Sequence, residues 1–367
     1  MPAATGDWLF LPGGVTQLLS LVAAYRSLGE DANIKCNVLS VCYFINDLML
    51  AAMEEASKAF GWDYLGNLEP TRFTGFPTSA YSVVRRPHKW LFPRTCARRL
   101  LRRNGFPPLD RVYGMGFTLR PWVFDEVLIS AILKPDQHLC VLDGMNPKSP
   151  NRQLEGMRWR GLQTPFNNIP GRMDVWCPSD LVSEAAALGR PREISSSATE
   201  AVNRQYRETA LAKSFQHYLQ EKLDSSRSAV LFSQQLSSNG YCSAFGEATY
   251  YFTVTQRLLA EGYRRILIKP HPRDDPAKVR HLQRLFERQS SITIVPDRFL
   301  PVPFEPFADI LSERTHSAFS TNSTALLTYR ACTGRPAVAF DSTEFSDEFR
   351  KDLRQYCLRH SIALVLL

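Results

Sequence analysis

His271 stands between two prolines in the run Lys269-Pro270-His271-Pro272-Arg273, directly after the apolar triplet Ile266-Leu267-Ile268. The prolines disfavour helix and ladder alike and stiffen the backbone on both sides of the histidine. An imidazole held at the carboxyl end of a strand, between Lys269 and Arg273, is suited to meet a phosphate, because open α/β sheets bind ligands at that end. An ordinary strand-to-loop exit with a surface histidine has the same sequence. Farther along, Ser320-Thr321-Asn322-Ser323-Thr324 follows the strand-like His316 to Phe319 and precedes a helical run from Ala325. A hydroxyl residue at a helix start caps one N–H and leaves others aimed at an anion, with Ser323 and Thr324 as added donors. Capping alone explains either residue singly, but not five small polar residues in a row.

The first half of the chain carries fewer chemical candidates. Gly13 and Gly14 follow the apolar run Trp8 to Pro12 and precede the helix-period residues Val15, Leu18, Leu19 and Val22. Glycine in such a turn lets a ligand approach N–H groups at the helix mouth, where Thr16 and Gln17 would sit. A tight turn with no ligand is the simpler reading of a Gly-Gly pair. Asp143 ends the strand-like His138 to Leu142 and precedes Gly144. An acid at that point serves as a catalytic carboxylate or as a turn residue. Between Arg85 and Arg103 the cations Arg85, Arg86, Lys89, Arg94, Arg98, Arg99, Arg102 and Arg103 occur without an acid, interleaved with Trp90, Leu91 and Phe92. Such a stretch fits an anionic membrane surface, a polyanionic acceptor or a solvated helix face.

These residues need a frame that presents strand ends, and both halves supply the pattern of one. Strand-like and helical segments alternate from Trp8 to Pro178 and again from Ala229 to Arg359. The pattern predicts two parallel-sheet α/β domains facing a cleft. Gly189 to Ser197, rich in Pro and Ser, reads as a linker, and Thr199 to Leu223 as one polar helix crossing between the halves. Pro336 to Phe340 is the last strand that the pattern predicts.

With 367 residues the chain exceeds the size at which one core stops growing. Lys and Arg outnumber Asp and Glu by 44 to 36, a net charge of +8 that suits an anionic partner. Charge alone would admit nucleic acid, but no nucleic-acid-binding motif accompanies it, and none is expected as a partner. The eight cysteines have no zinc-knuckle spacing, and Cys36, Cys42 and Cys140 lie in apolar runs, which predicts buried thiols in a reducing compartment. The N-terminal apolar stretch is short for a signal peptide, and no run reaches the roughly 18–20 apolar residues that span a bilayer. The expectation is a cytoplasmic protein, either fully in solution or peripheral to the inner face of the membrane.

In this order the pieces resemble the bacterial sialyltransferases, glycosyltransferase family 52 and the related capsular polysialyltransferases. His271 and Pro272 resemble the family's His-Pro motif, and Ser323-Thr324 its Ser/Thr motif. Pro303 to Glu305 resembles the segment whose glutamate meets the donor ribose. Leu231 to Ser237, with Gln234, resembles the loop near the cytosine. Gly13 to Leu19 resembles the N-terminal Pro-x-Gln-Leu-Leu signature. The resemblance implies a GT-B fold of Rossmann-like domains, with residues 1–190 on the acceptor side, a linker and crossing helix over 191–227, and a CMP-sugar domain over 228–367. It further implies CMP-sialic acid (or a related CMP-nonulosonate) as donor, a glycan acceptor, inversion at the anomeric carbon, no metal and no other cofactor; the net charge admits an acidic acceptor. Donor contacts would come from Gly13, Gly14, Gln17, Gln234, Lys269, Pro272, Arg273, Glu305, Ser323 and Thr324. His271 would stabilise or protonate the leaving phosphate.

One position departs from the family. Its two acids before a glycine, the first commonly the general base, correspond here to Leu142-Asp143-Gly144. Asp143 is then the expected base, with the basic patch Arg85, Arg86, Lys89, Arg98, Arg99, Arg102 and Arg103 serving acceptor or membrane. The competing expectations are a GT-B transferase using another anionic CMP- or CDP-activated donor (Kdo or glycerol phosphate) and a glycan-binding GT-B protein that has lost catalysis.

Overall fold

The computed structural model describes residues 7–29, 34–41, 46–68, 102, 113–118, 137–142, 174–186, 189–224, 227–272 and 274–367. They divide into two compact units that meet in sequence at Thr209 and Ala210.

The first unit holds β1 (Trp8–Leu11), α1 (Val15–Ser27), β2 (Cys36–Val41), α2 (Asp47–Ala59), β3 (Asp63–Leu68), β4 (Gly114–Thr118), β5 (Gln137–Val141), β6 (Asp174–Cys177), α3 (Val182–Ala186), β7 (Arg190–Glu193) and α4 (Ser196–Arg207). Its seven strands run parallel in the order β3-β2-β1-β4-β5-β6-β7. β1 and β2 are buried along their whole length, as parallel strands covered on both faces must be. Trp8 and Phe10 place large rings on one face of β1. Phe10 stacks on Trp62 at 4.3 Å, and Tyr25 of α1 meets both β1 rings edge-on. The neighbouring strand makes room for them with glycine. A Cβ at Gly114 would lie 2.3 Å from the Trp8 ring, and one at Gly116 would lie 2.4 Å from Phe10.

The second unit holds α5 (Ala210–Lys222), β8 (Ser228–Phe232), α6 (Ala244–Ala260), β9 (Arg265–Lys269), α7 (Pro276–Phe286), β10 (Ile292–Ile294), α8 (Ala308–Arg314), β11 (Ser317–Ser320), α9 (Thr324–Thr333), β12 (Ala337–Asp341), α10 (Asp347–His360) and β13 (Ala363–Leu366). Its strands are parallel in the order β10-β9-β8-β11-β12-β13. In both sheets the chain winds outward one way and then restarts beside its first strand. The order therefore reverses between β1 and β4, and again between β8 and β11, which creates a crevice outside the strands' carboxyl ends.

Three differences from the sequence pattern concern the sheet margins. β3, β7 and β13 were not expected, and each is an edge strand. β7 lies inside the stretch that reads as a linker; its Arg-Pro-Arg-Glu sequence is exposed throughout, and a proline is tolerated where one side has no partner. The predicted crossing helix is two helices, broken at Glu208-Thr209. The Gln205 side chain on α4 donates to the Ala59 carbonyl at 2.6 Å, and Ser195, the residue before α4, donates its N–H to Ser27 Oγ. α5 buries Phe215 against Phe299 and Phe307 of the second unit. A helical period continues through the break, because each helix is amphipathic towards its own core. Cys36, Cys140, Cys177 and Cys357 are buried, as the sequence predicts for the first two, and Cys42 lies outside the described residues.

Lys269, the last residue of β9, is only 7 % exposed. Its ammonium donates to the carbonyls of Leu300 at 3.2 Å and Phe299 at 3.4 Å, and lies 5.9 Å from the centre of the Phe215 ring. Burial pushes it down to about 8, against the opposing pull of Glu305 and Asp274. The expected phosphate contact at this residue is thus replaced by a packing role: the long stem crosses the core and the charge meets backbone dipoles.

Two outcomes follow for stability. Gly116→Ala should cost about 1–3 kcal/mol, measured by urea denaturation, because the Phe10 ring must leave its stack. Lys269 is protonated to higher pH in the unfolded chain than in the folded one. Its contribution to stability therefore rises as pH climbs from about 8 towards the ordinary 10.5. The stability difference between wild type and Lys269→Met should move in the wild type's favour across that window. A difference that stays flat would show that the ammonium is not desolvated.

Candidate functional site

Three adjacent strands of the second sheet, β9, β8 and β11, send polar segments out of their carboxyl ends. The turn after β9 carries His271. Pro270 is buried, and His271 and Pro272 are half-buried. Both backbone polar groups of His271 go to one residue. Its N–H donates to Asp274 Oδ2 at 2.8 Å, and its carbonyl accepts from the Asp274 N–H at 2.9 Å. Asp274 is 4 % exposed and also accepts from Ser233 Oγ at 2.8 Å, just past β8. Burial pushes its carboxyl up, and Lys278 with these hydrogen bonds pulls it back.

Lys278 sits one turn into α7, four residues beyond Asp274. Its ammonium reaches Asp274 Oδ1 at 2.9 Å, Glu247 Oε1 at 2.6 Å and the Gln234 carbonyl at 2.6 Å. Glu247, buried in the first turn of α6, accepts the N–H groups of Leu236 and Ser237 and the Ser237 hydroxyl. One cation thus lies between two buried carboxylates, and each carboxylate spends its other lone pairs on a loop. Taking Lys278 away would leave two buried carboxylates without their cation. Sequence reading passed over all three residues. The available signal was the i, i+4 spacing of Asp274 and Lys278 across the capped start of a helix, where the Asp275 side chain accepts from Ala277 N–H.

The segment after β8 is fixed just as fully. Gln234 donates its N–H to the Tyr251 hydroxyl at 2.8 Å, and its side-chain Nε2 donates to Ser323 Oγ at 2.9 Å. Ser323 is the N-cap of α9, accepting from Ala325 N–H, and its carbonyl accepts from the buried Tyr356 hydroxyl at 2.7 Å. With two donors on its oxygen, the Ser323 hydroxyl keeps its proton to give. Thr324 opens α9, where the helix dipole favours an anion. Beside them Asn322 is 8 % exposed, and its Nδ2 has no hydrogen-bond partner. Glu305 begins a short 3-10 turn, close enough to Lys269 to affect its charge. Arg273 lies outside the described residues.

In the first unit, Gly14 is the N-cap of α1 with no side-chain cap, and the Gly13 N–H donates to Gln17 Oε1. A Cβ at Gly14 would meet nothing within 4 Å, so the glycine leaves space rather than relieving a clash. Leu142 follows β5, buried, with its N–H donating to the Trp176 carbonyl at 2.7 Å. The position of the family's first acid is therefore a core position here. Asp143 lies outside the described residues, as do Arg85, Arg86, Lys89, Arg98, Arg99 and Arg103; Arg102 is exposed. Among the described residues no helix is long and apolar enough to cross a membrane.

The model of the alpha-2,8-polysialyltransferase family matches residues 165–341, the stretch that holds Gln234, Asp274, Lys278 and Ser323. No curated protein sequence matches the chain significantly. Among solved structures, the UDP-GlcNAc 2-epimerase of Methanocaldococcus jannaschii in complex with UDP-GlcNAc and UDP superimposes with a TM-score of 0.57 at 10 % identity, over 98 % of this chain and 88 % of that one. The GT-B domain of the sialyltransferase from Photobacterium damselae does so with a TM-score of 0.50 at 13 % identity, over 98 % of this chain and all 100 % of its own. At such identities the likeness is one of fold. With the family match over residues 165–341 and two parallel-sheet domains of GT-B type, the chain is similar in sequence to the alpha-2,8-polysialyltransferases over just under half its length, which supports a glycosyltransferase.

Proposed function

We propose that the chain moves sialic acid from its CMP-activated form to a glycan acceptor, with inversion at the anomeric carbon. The observation that carries this reading is the bond from Gln234 Nε2 to Ser323 Oγ, which joins the ends of β8 and β11 at the switch point. It leaves the Ser323 hydroxyl and the start of α9 as donors to an anion, with the His271 turn one strand farther along. A CMP-sugar places its single phosphate between such groups. The acceptor oxygen attacks the anomeric carbon while the bond from that carbon to the phosphate oxygen breaks, and CMP leaves with the electron pair. His271 gives a proton or a hydrogen bond to the departing phosphate, and Asp143 takes the proton of the acceptor hydroxyl. Glu305 serves the ribose. The net charge of +8 supports an acidic acceptor.

Thermal shift against CMP, CMP-sialic acid, CMP-Kdo and CDP-glycerol tests the donor, because a ligand of the folded state raises the melting temperature by mass action. CMP and CMP-sialic acid should shift it; a shift with CDP-glycerol alone would sink the sialyl reading. His271→Ala should lower the rate of CMP release by at least about 100-fold. Ser323→Ala should shrink the CMP-induced shift while the fold persists. If Asp143→Asn turns over at the wild-type rate, the base is a different residue.

A further inference from the structure

Two prolines and one carboxylate determine where the His271 side chain starts. Pro270 and Pro272 restrict the backbone on either side. The remaining freedom of that turn is removed by Asp274, which binds the N–H of His271 through Oδ2 and its carbonyl through its own N–H. The carboxylate could swing if it were held only there. Ser233 Oγ fixes the same oxygen, and the Lys278 ammonium fixes the other at 2.9 Å. Lys278 in turn is anchored by Glu247 and by the Gln234 carbonyl, so the loop after β8 and the turn after β9 share one set of bonds.

We propose that Asp274 is a positioning residue for the transfer reaction: it holds the His271 turn in register with the Ser233–Gln234 segment, so that the imidazole meets the leaving phosphate. This inference rests on the sialyl-transfer reading above. Asp274 touches neither donor nor acceptor in this role, and its whole effect on the rate passes through His271. A burial as deep as that of Asp274 would be satisfied by any pair of donors. Besides the Lys278 ammonium, its donors are a backbone N–H of the proposed acid and a hydroxyl of the donor loop, which is what couples it to the chemistry.

A mutant cycle separates this role from a general contribution to folding. The kcat and KM for CMP-sialic acid are measured for wild type, Asp274→Asn, His271→Ala and the double variant, with the melting temperature of each. Asp274→Asn keeps the size of the side chain and loses the charge that holds Lys278. With His271 present, Asp274→Asn should lower kcat by about tenfold or more, since a displacement near 1 Å costs that much, and leave the donor KM within about twofold. In the His271→Ala background the same change should alter kcat by less than about twofold, because residues acting as one unit are not additive. Ser233→Ala removes one hydroxyl and no charge, and gives the same test should Asp274→Asn fail to fold: a loss of kcat with His271 and none without it. Losses that multiply in both backgrounds, or an unchanged kcat in both variants, would overturn the proposal while the transferase reading stands. A wild-type protein that releases no CMP would remove the transferase reading and this inference with it.

Discussion

A parallel sheet covered on both faces has no place for chemistry along its strands. Every residue of β1, β2 and β8 is buried, and so is β9 beyond its first residue. Polar and charged groups are therefore driven to the strand ends, and the winding order decides which ends lie side by side. In the second unit it sets β9, β8 and β11 next to one another, bringing together the turn after Lys269, the loop after Phe232 and the hydroxyl segment after Ser320. These segments are far apart in sequence and need no motif in common. Gln234 and Ser323, 89 residues apart, are hydrogen-bonded because their strands are neighbours.

Strand ends alone do not give a rigid site, because loops carry unsatisfied backbone groups and entropy. Here the loops are tied by a buried charge chain. Asp274 and Glu247 each pair with Lys278 and spend their other lone pairs on hydroxyls and backbone N–H groups. Such a chain is weak as a source of net stability, since the desolvation of three charges offsets most of the attraction. Its value lies in direction: this set of bonds ties the loop after β8 to the turn after β9 in the arrangement seen. Lys269 shows the contrasting use of a cation. It sits at the end of the same strand as the histidine turn, yet its ammonium is held by the Phe299 and Leu300 carbonyls. Charge near a strand end is thus not sufficient to make a phosphate contact, and the direction of the side chain decides.

The central strands and most helices were legible because burial constrains their composition. Val-, Leu- and Ile-rich runs bounded by Gly and Pro can be little else, and the caps Asn46, Asp275 and Ser346 mark helix starts by their chemistry. The edge strands β3, β7 and β13 were not legible. An edge has one partner and one open side, so β3 mixes polar and apolar residues and Arg190-Pro191-Arg192-Glu193 has no apolar run; β13, Ala363-Leu364-Val365-Leu366, is apolar but only four residues long. The break between α4 and α5 is not legible in the sequence for a related reason. Each helix keeps a regular period, and the core it faces is a tertiary fact.

By itself the sequence determined that there are two alternating β/α halves, that His271 sits in a Pro-bracketed turn, and that hydroxyls open α9. Local steric and capping rules suffice for each of these. Only the tertiary structure decided that Leu142 faces a core, that Lys269 turns inward, and that Asp274, Lys278 and Glu247 form one buried network around the turn. Those outcomes depend on which strand lies beside which and on how much water reaches each charge, and neither quantity is local in sequence.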